Sequence, residues 1–421
     1  MTVTLKHPLP LLVPALVAVL AAGCGTGDAA KREPTSSTQP TTFSSPATVP
    51  SGPRAVDDPD PRLAISHEGG VSVVSALDGT VISTIAMPGF VRLNAGGDGR
   101  HVIVSADGGF RALDVGAWTV DHGDHEHAYV GEPGLTDFEV AATEPGHVVV
   151  HEGITTLFDD GSGTVTAFDS IDLDHPDGPD LVSYQASDPH HGVAAHGRDG
   201  TWLLTVGTTE ARTGVALVDD AGATLATSKD CPGVHGEAFA GDVAVFGCED
   251  GVLVVDGRRI SKISAPDPYG RIGNQAGADN SPYVLGDYKS DAETELERPT
   301  RVSVIDTRDA TMRLVEIGAS YTFRSLGRMP DGDGLVLGTD GSLHVIDAEK
   351  ARVTRRLPVL DQWREPADWQ APRPTLEVVG DTAFVTDPAA RRIYVVDLSD
   401  LTVRTSFSVD VVPQEMVGVT G

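Results

Sequence analysis

The chain has 421 residues, 40% of them hydrophobic but only 5% aromatic, and a formal net charge of -30. That length admits two or three average domains or one large all-β domain. The acidity excludes nucleic acid as a partner, because phosphate binding needs a basic footprint, whereas an acidic field gathers cations and keeps an exported chain soluble.

The first residues read as a processing signal. Lys6 supplies a short positive region and Leu9 to Leu20 an apolar stretch interrupted by prolines. Ala21-Ala22-Gly23-Cys24 resembles a bacterial lipobox, with Ala21 where leucine is usual. The run is too short to serve as a stop-transfer helix, so the resemblance implies cleavage before Cys24 and lipid on its thiol. Residues 1–23 are therefore expected as signal peptide. Residues 24–61, rich in Ser, Thr and Pro, are expected as the lipidated cysteine and a disordered tether. Residues 62–421 are expected as the folded domain.

From Leu63 onward, short β-branched runs alternate with Gly, Asp and Asn turns, and the runs recur. Units begin near Leu63, His101, His147, Thr201, Val243, Ser281, Leu335 and Ala383, and several carry a phrase such as VSVIDTR, LHVIDAE or IYVVDLS. A four-strand module repeating about every 45 residues is the signature of an all-β propeller. Eight blades are counted, seven being the alternative. The first unit lacks an inner strand of its own, and Glu415 to Gly421 is expected to supply it and close the ring.

Chemistry concentrates in histidine. Residues 120–129 read VDHGDHEHAY, in which His122, His125 and His127 offer neutral nitrogens and Asp124 a carboxylate. This borderline donor set suits Zn²⁺, although iron and copper accept the same donors. Two further segments, SDPHHGVAAHG (residues 187–197) and CPGVHGEAF (residues 231–239), are expected with the first at one mouth of the channel. They add His190, His191 and His235 as ligands, with His190 favoured over its neighbour because adjacent strand residues point to opposite sides. His196 is read as buried or on a blade face. His67, His101, His147, His151, His175 and His344 are read as structural, and Glu126 and Glu237 as groups that ligate or orient an imidazole. With Cys24 assigned to lipid, Cys231 and Cys248 read as a disulfide of an oxidising compartment, the competing reading being one thiolate on zinc.

An HxDHxH motif followed by PHHG and CPGxHGEA resembles the zinc metallochaperones of the AztD type. That resemblance implies a β-propeller that binds Zn²⁺ in the cell envelope and hands it to the solute-binding protein of a zinc ABC importer. It further implies that His122, Asp124, His125 and His127 form a cluster that moves zinc, and that His190 and His235 lie in segments that hold it. A mobile motif beside a fixed site is expected to pass the ion through a shared-ligand intermediate, with affinity falling below about pH 6.5. The lipobox adds a membrane anchor, and a monomer is expected. Two other readings compete: a metal-dependent propeller hydrolase or lyase, and an envelope scaffold. No nucleophile motif supports the first, and the chain is read as no enzyme.

Overall fold

Valine and isoleucine runs cut by Gly-containing turns fold into antiparallel hairpins. In the first of these, Arg62–His67 pairs with Gly70–Ser75 around Glu68-Gly69, where Gly69 takes a φ of 93° that glycine adopts without steric cost. The computed structural model describes residues 52–421. Cys24, the expected signal peptide and the tether up to residue 51 lie outside the described residues.

Among the described residues, eight sheets share one plan, four antiparallel strands stacked from an inner to an outer edge. The inner strands of blades 1 to 8 are Met416–Val419, Arg92–Ala95, Pro145–His151, Ala194–His196, His235–Ala240, Gln275–Ala276, Leu326–Arg328 and Leu376–Val379. The expected eight-bladed all-β propeller is therefore the fold.

Each middle strand is sandwiched between two neighbouring blades, so both of its faces are apolar. Along Arg62–His67, Leu63 and Ile65 pack with Phe384, Ile393 and Val395 of blade 8, while Ala64 packs with Val102, Val104 and Leu113 of blade 2. This two-sided burial explains why the middle strands read as continuous apolar runs rather than strict alternation. Each fully buried Val, Leu or Ile contributes roughly 1.5–3 kcal/mol, so the core is a ring of inter-blade clusters.

Antiparallel order also fixes which loops share a face. Connections from the second to the third strand, and from the outer strand to the next inner strand, open on one side, here called the upper face. Connections from first to second and from third to fourth strand open on the lower face. A six-residue strand such as His101–Ala106 separates the two by roughly 20 Å.

Blade 2 departs from the expected order. After the unit that begins near His101, Gly134–Ala141 pairs with Gly109–Asp114 as the outer strand of blade 2. Between those two strands the chain inserts a hairpin, Ala117–Asp121 with Glu126–Val130, whose tip carries the HxDHxH motif. The third to fourth strand connection lies on the lower face, so the hairpin is rooted there. Its other edge is filled by Arg54–Val56, which pairs with Ala128–Val130. The end of the expected tether is thus ordered, because the hairpin edge offers unpaired backbone groups that an extended segment satisfies. Arg62 fastens the same region by donating to Val115 O at 2.6 Å and to Gly131 O at 3.3 Å.

Closure follows the expected route. Met416–Val419 pairs with Ile65 back to Arg62, so the last strand of the chain completes the first blade. Glu415, 2% exposed, accepts from Leu93 N at 2.8 Å and pairs with Arg324, joining blades 1, 2 and 7 around the channel. Deleting residues 415–421 should abolish the cooperative melt at its normal temperature. Glu415→Ala should cost about 3–5 kcal/mol by leaving Arg324 unpaired. Calorimetry on the two variants checks this, and unchanged melting would contradict it.

Candidate metal centre

Three imidazoles meet on the upper face. His147 lies near the upper end of the inner strand of blade 3, His191 in the connection leading into the inner strand of blade 4, and His235 opens the inner strand of blade 5. One ring nitrogen from each lies within 4.8 Å of the other two. The Nε2 atoms of His191 and His235 are 3.1 Å apart, close to the ~3.4 Å that two ligands of a tetrahedral zinc subtend at Zn–N distances of about 2.0–2.1 Å.

Blade 4 makes this convergence sterically open. Its inner strand and the two residues leading into it read Gly192-Val193-Ala194-Ala195-His196, and the first four are too small to hold blades 3 and 5 apart. The rings of His147 and His235 come to 5.4 Å between centroids, and lower down His151 stacks on Phe239 at 3.6 Å.

Each imidazole is held by its other nitrogen. His147 Nδ1 bonds to Gly192 O at 2.9 Å and His235 Nδ1 to Gly273 O at 2.6 Å, so both rings donate from Nδ1 and leave the Nε2 lone pair free. His191 Nδ1 lies 2.5 Å from Asp160 Oδ2. Backbone carbonyls and a carboxylate on the far nitrogen are the usual means of fixing the tautomer of a zinc-binding histidine.

Burial pushes His147 well below the ordinary imidazole range, reinforced by the neighbouring His235, His191 and Arg92. Burial, followed by the proximity of His191, lowers His235 to about 3. Both are neutral at physiological pH, the form that binds metal. Glu237, two residues beyond His235, is pushed up to about 8 by burial, so its carboxyl is mostly neutral, and it bonds no imidazole among the described residues. The orienting role expected for it falls to Asp160 and two carbonyls.

Cys231 and Cys248 are joined as a disulfide. Both are fully buried, and the bond ties the connection before His235 to the strand that ends beside it, since His235 pairs with Gly247. The thiolate-on-zinc alternative is excluded by this pairing.

Among the expected ligands, His191 and His235 enter the cluster and His190 does not. His190 is 3% exposed, with Nδ1 against Asp188 O at 2.9 Å and Nε2 against Thr205 Oγ1 at 3.0 Å, so neither nitrogen is free. The choice between the adjacent histidines is the reverse of the one expected, because Thr205 offers a buried hydroxyl that captures His190. His147, read as structural, takes the place expected of it. The usable signal was its position, at the head of an inner strand after Pro145-Gly146, equivalent to that of His235. His196 bonds Asp220 at 3.3 Å and packs against Trp202, as a structural residue should.

The HxDHxH residues gather separately on the lower-face hairpin. The rings of His125 and His127 are 4.8 Å apart, with Nε2 atoms at 3.1 Å, and His122 lies 5.2 Å from each. Asp124 Oδ1 bonds His125 Nδ1 at 2.7 Å, orienting that ring. Glu126 pairs with Asp121 at the base of the tip. The expectation of a single mouth fails here: the hairpin is rooted roughly 20 Å away on the opposite face of the ring.

Fold and site together define an eight-bladed β-propeller with three histidines at one mouth whose ring nitrogens are close enough to hold a metal ion. No family model matches the chain. The zinc chaperone AztD of Citrobacter koseri is 26% identical over 365 residues, covering 83% of this chain and 84% of that protein. A crystal structure of Citrobacter koseri AztD superposes with a TM-score of 0.76 at 25% identity, covering 86% of this chain and 98% of the other. A structure of apo AztD from the same organism gives 0.73 at 23% identity, with the same coverage. Agreement in sequence and fold along most of both chains makes that zinc chaperone a homologue of this protein.

The two depressed histidines carry the pH behaviour. Protons compete weakly for them, so zinc affinity at the upper site should fall far less between pH 7.5 and 5.5 than the roughly thousandfold of three imidazoles titrating at 6.5. This replaces the expected loss below pH 6.5. The metal-free fold should lose stability as pH drops below 6.5, since unfolding lets His147 and His235 take up protons that the native state refuses. Competition titration of His122→Ala/His125→Ala/His127→Ala protein across this range checks the first expectation, and metal-free melting curves the second.

Proposed function

We propose that the protein is an extracytoplasmic zinc chaperone that acquires Zn²⁺ and transfers it to the solute-binding protein of a zinc ABC importer. The observation that carries this reading is the triad of His147, His191 and His235, whose nitrogens converge at an open mouth, in a chain homologous to a zinc chaperone. The homologue is a chaperone, not an enzyme, and the chemistry of the site agrees. Three imidazoles leave a fourth position that water would fill at rest and an incoming ligand would take during exchange. A closed four-thiolate site would hold the ion too firmly to give it up.

His122, Asp124, His125 and His127 form the second zinc-binding group of the proposal. Their place on the lower face makes them a separate capture point in the acidic field of the chain, not the movable half of the upper site. The disulfide fits an oxidising compartment. With lipid on Cys24 and residues 25–51 as tether, the propeller would work as a monomer at the membrane surface, within reach of an importer's binding protein.

Equilibrium dialysis followed by elemental analysis tests this. Protein loaded with zinc should carry two ions, fall to one when His122, His125 and His127 are changed to alanine, and fall to one when His147, His191 and His235 are. Transfer of zinc to a purified metal-free solute-binding protein should be lost only in variants lacking the upper triad. Full transfer without that triad would overturn the assignment, and metal-free wild type after loading would end the zinc reading altogether.

A further inference from the structure

The triad depends on a carboxylate that the histidine pattern does not announce. Asp160 lies in the turn between the second and third strands of blade 3, Ile154–Asp159 and Thr164–Asp169, on the upper face. Its side chain is 14% exposed. One oxygen, Oδ2, sits 2.5 Å from His191 Nδ1. The other, Oδ1, accepts from Gly192 N at 3.2 Å. Gly192 in turn offers its carbonyl to His147 Nδ1 at 2.9 Å. One carboxylate therefore grips a first ligand directly and a second through a single peptide unit, across the boundary between blades 3 and 4.

The local backbone is shaped to admit it. Asp160 N donates to Glu144 O at 2.9 Å, which seats the turn beside the start of the inner strand. A Cβ on Gly146 would fall 2.2 Å from Asp160 Oδ1 and 2.9 Å from Oδ2. Gly146 immediately precedes His147, so the residue that leaves room for the carboxylate also introduces a triad ligand. Gly192 is equally constrained, because a Cβ there would lie 2.3 Å from the Phe158 ring.

We propose that Asp160 is the positioning residue of the upper zinc site, orienting His191 directly and His147 through Gly192. The proposal rests on the reading of the triad as a zinc site. Asp160 accepts a hydrogen bond from His191 Nδ1–H, which turns the Nε2 lone pair toward the ion and makes it a stronger donor. Its hold on Gly192 fixes how far blade 4 stands from blade 3, and with it the span between His147 and His191. His235, held by Gly273 O, is independent of it.

The test uses protein in which His122, His125 and His127 are alanine, so that one site is read, loaded with Zn²⁺ for affinity and with Co²⁺ for its visible spectrum. Asp160→Ala should weaken zinc about 100-fold and Asp160→Asn about tenfold, since asparagine keeps one acceptor oxygen but no charge. The Co²⁺ bands of Asp160→Ala should lose tetrahedral intensity, while metal-free melting stays within about 2 °C of the parent. Gly146→Ala, which leaves the charge intact and displaces the carboxylate, should weaken zinc in the same direction. Affinity and spectrum unchanged in Asp160→Ala would overturn the proposal, as would a loss of affinity matched by a collapse of the metal-free melt. A parent that binds no zinc would overturn the triad reading, and this proposal with it, so the two failures are told apart.

Discussion

Strand direction is the constraint on which the rest of this structure depends. In a closed ring of antiparallel blades every connection is committed to one face by its place in the blade, so a histidine acts with others only if its connection opens on their side. The ring itself relies on a single chain-end strand, Met416–Val419, and on Glu415 buried against Arg324 and Leu93 N. Three inner strands then bring their upper ends together, and the small residues of blade 4 let the neighbours on either side approach. The site is a consequence of closure, assembled by three successive blades.

That dependence explains the character of the site. Its three histidines sit on two inner strands and on the connection into blade 4. Asp160 pins that connection and the disulfide pins the one before His235, so little would remain to be ordered if metal arrived. Burial keeps His147 and His235 neutral, and backbone carbonyls hold their tautomers. Rigidity in three ligands combined with openness at the fourth position is what a carrier needs, since it favours exchange by addition of an incoming ligand over release to water. The lower hairpin is built the other way. Its histidines share one exposed tip supported by its own two strands, with Arg54–Val56 laid along the edge.

The fold was legible because its middle strands repeat: GVSVVS, RVSVID, SLHVID and RIYVVD differ in detail yet are all flanked by two blades and so apolar on both faces. The chain-end closure was legible for a related reason, since a first unit with no inner strand must borrow one. What escaped was phase. The hairpin at 117–130 reads as ordinary blade strands, and only tertiary pairing reveals that Gly134–Ala141 completes blade 2 in its place. That one insertion moves HxDHxH to the opposite face. The ligand set failed in a different way: His147, inside a valine run, looks like any strand residue, and the choice between His190 and His191 turns on Thr205, fifteen residues away. Asp160 gave no sign at all, being one of many acidic turn residues in a chain with a net charge of -30.

The central claim is that a zinc ion sits among His147, His191 and His235. Anomalous diffraction at the zinc edge, on crystals of the full propeller loaded with the metal, tests it most directly. The account predicts a peak about 2.0–2.1 Å from the Nε2 atoms of all three histidines, with a water or other oxygen in the fourth position. A zinc peak on the lower-face hairpin alone, with the upper triad empty at saturating metal, would contradict it.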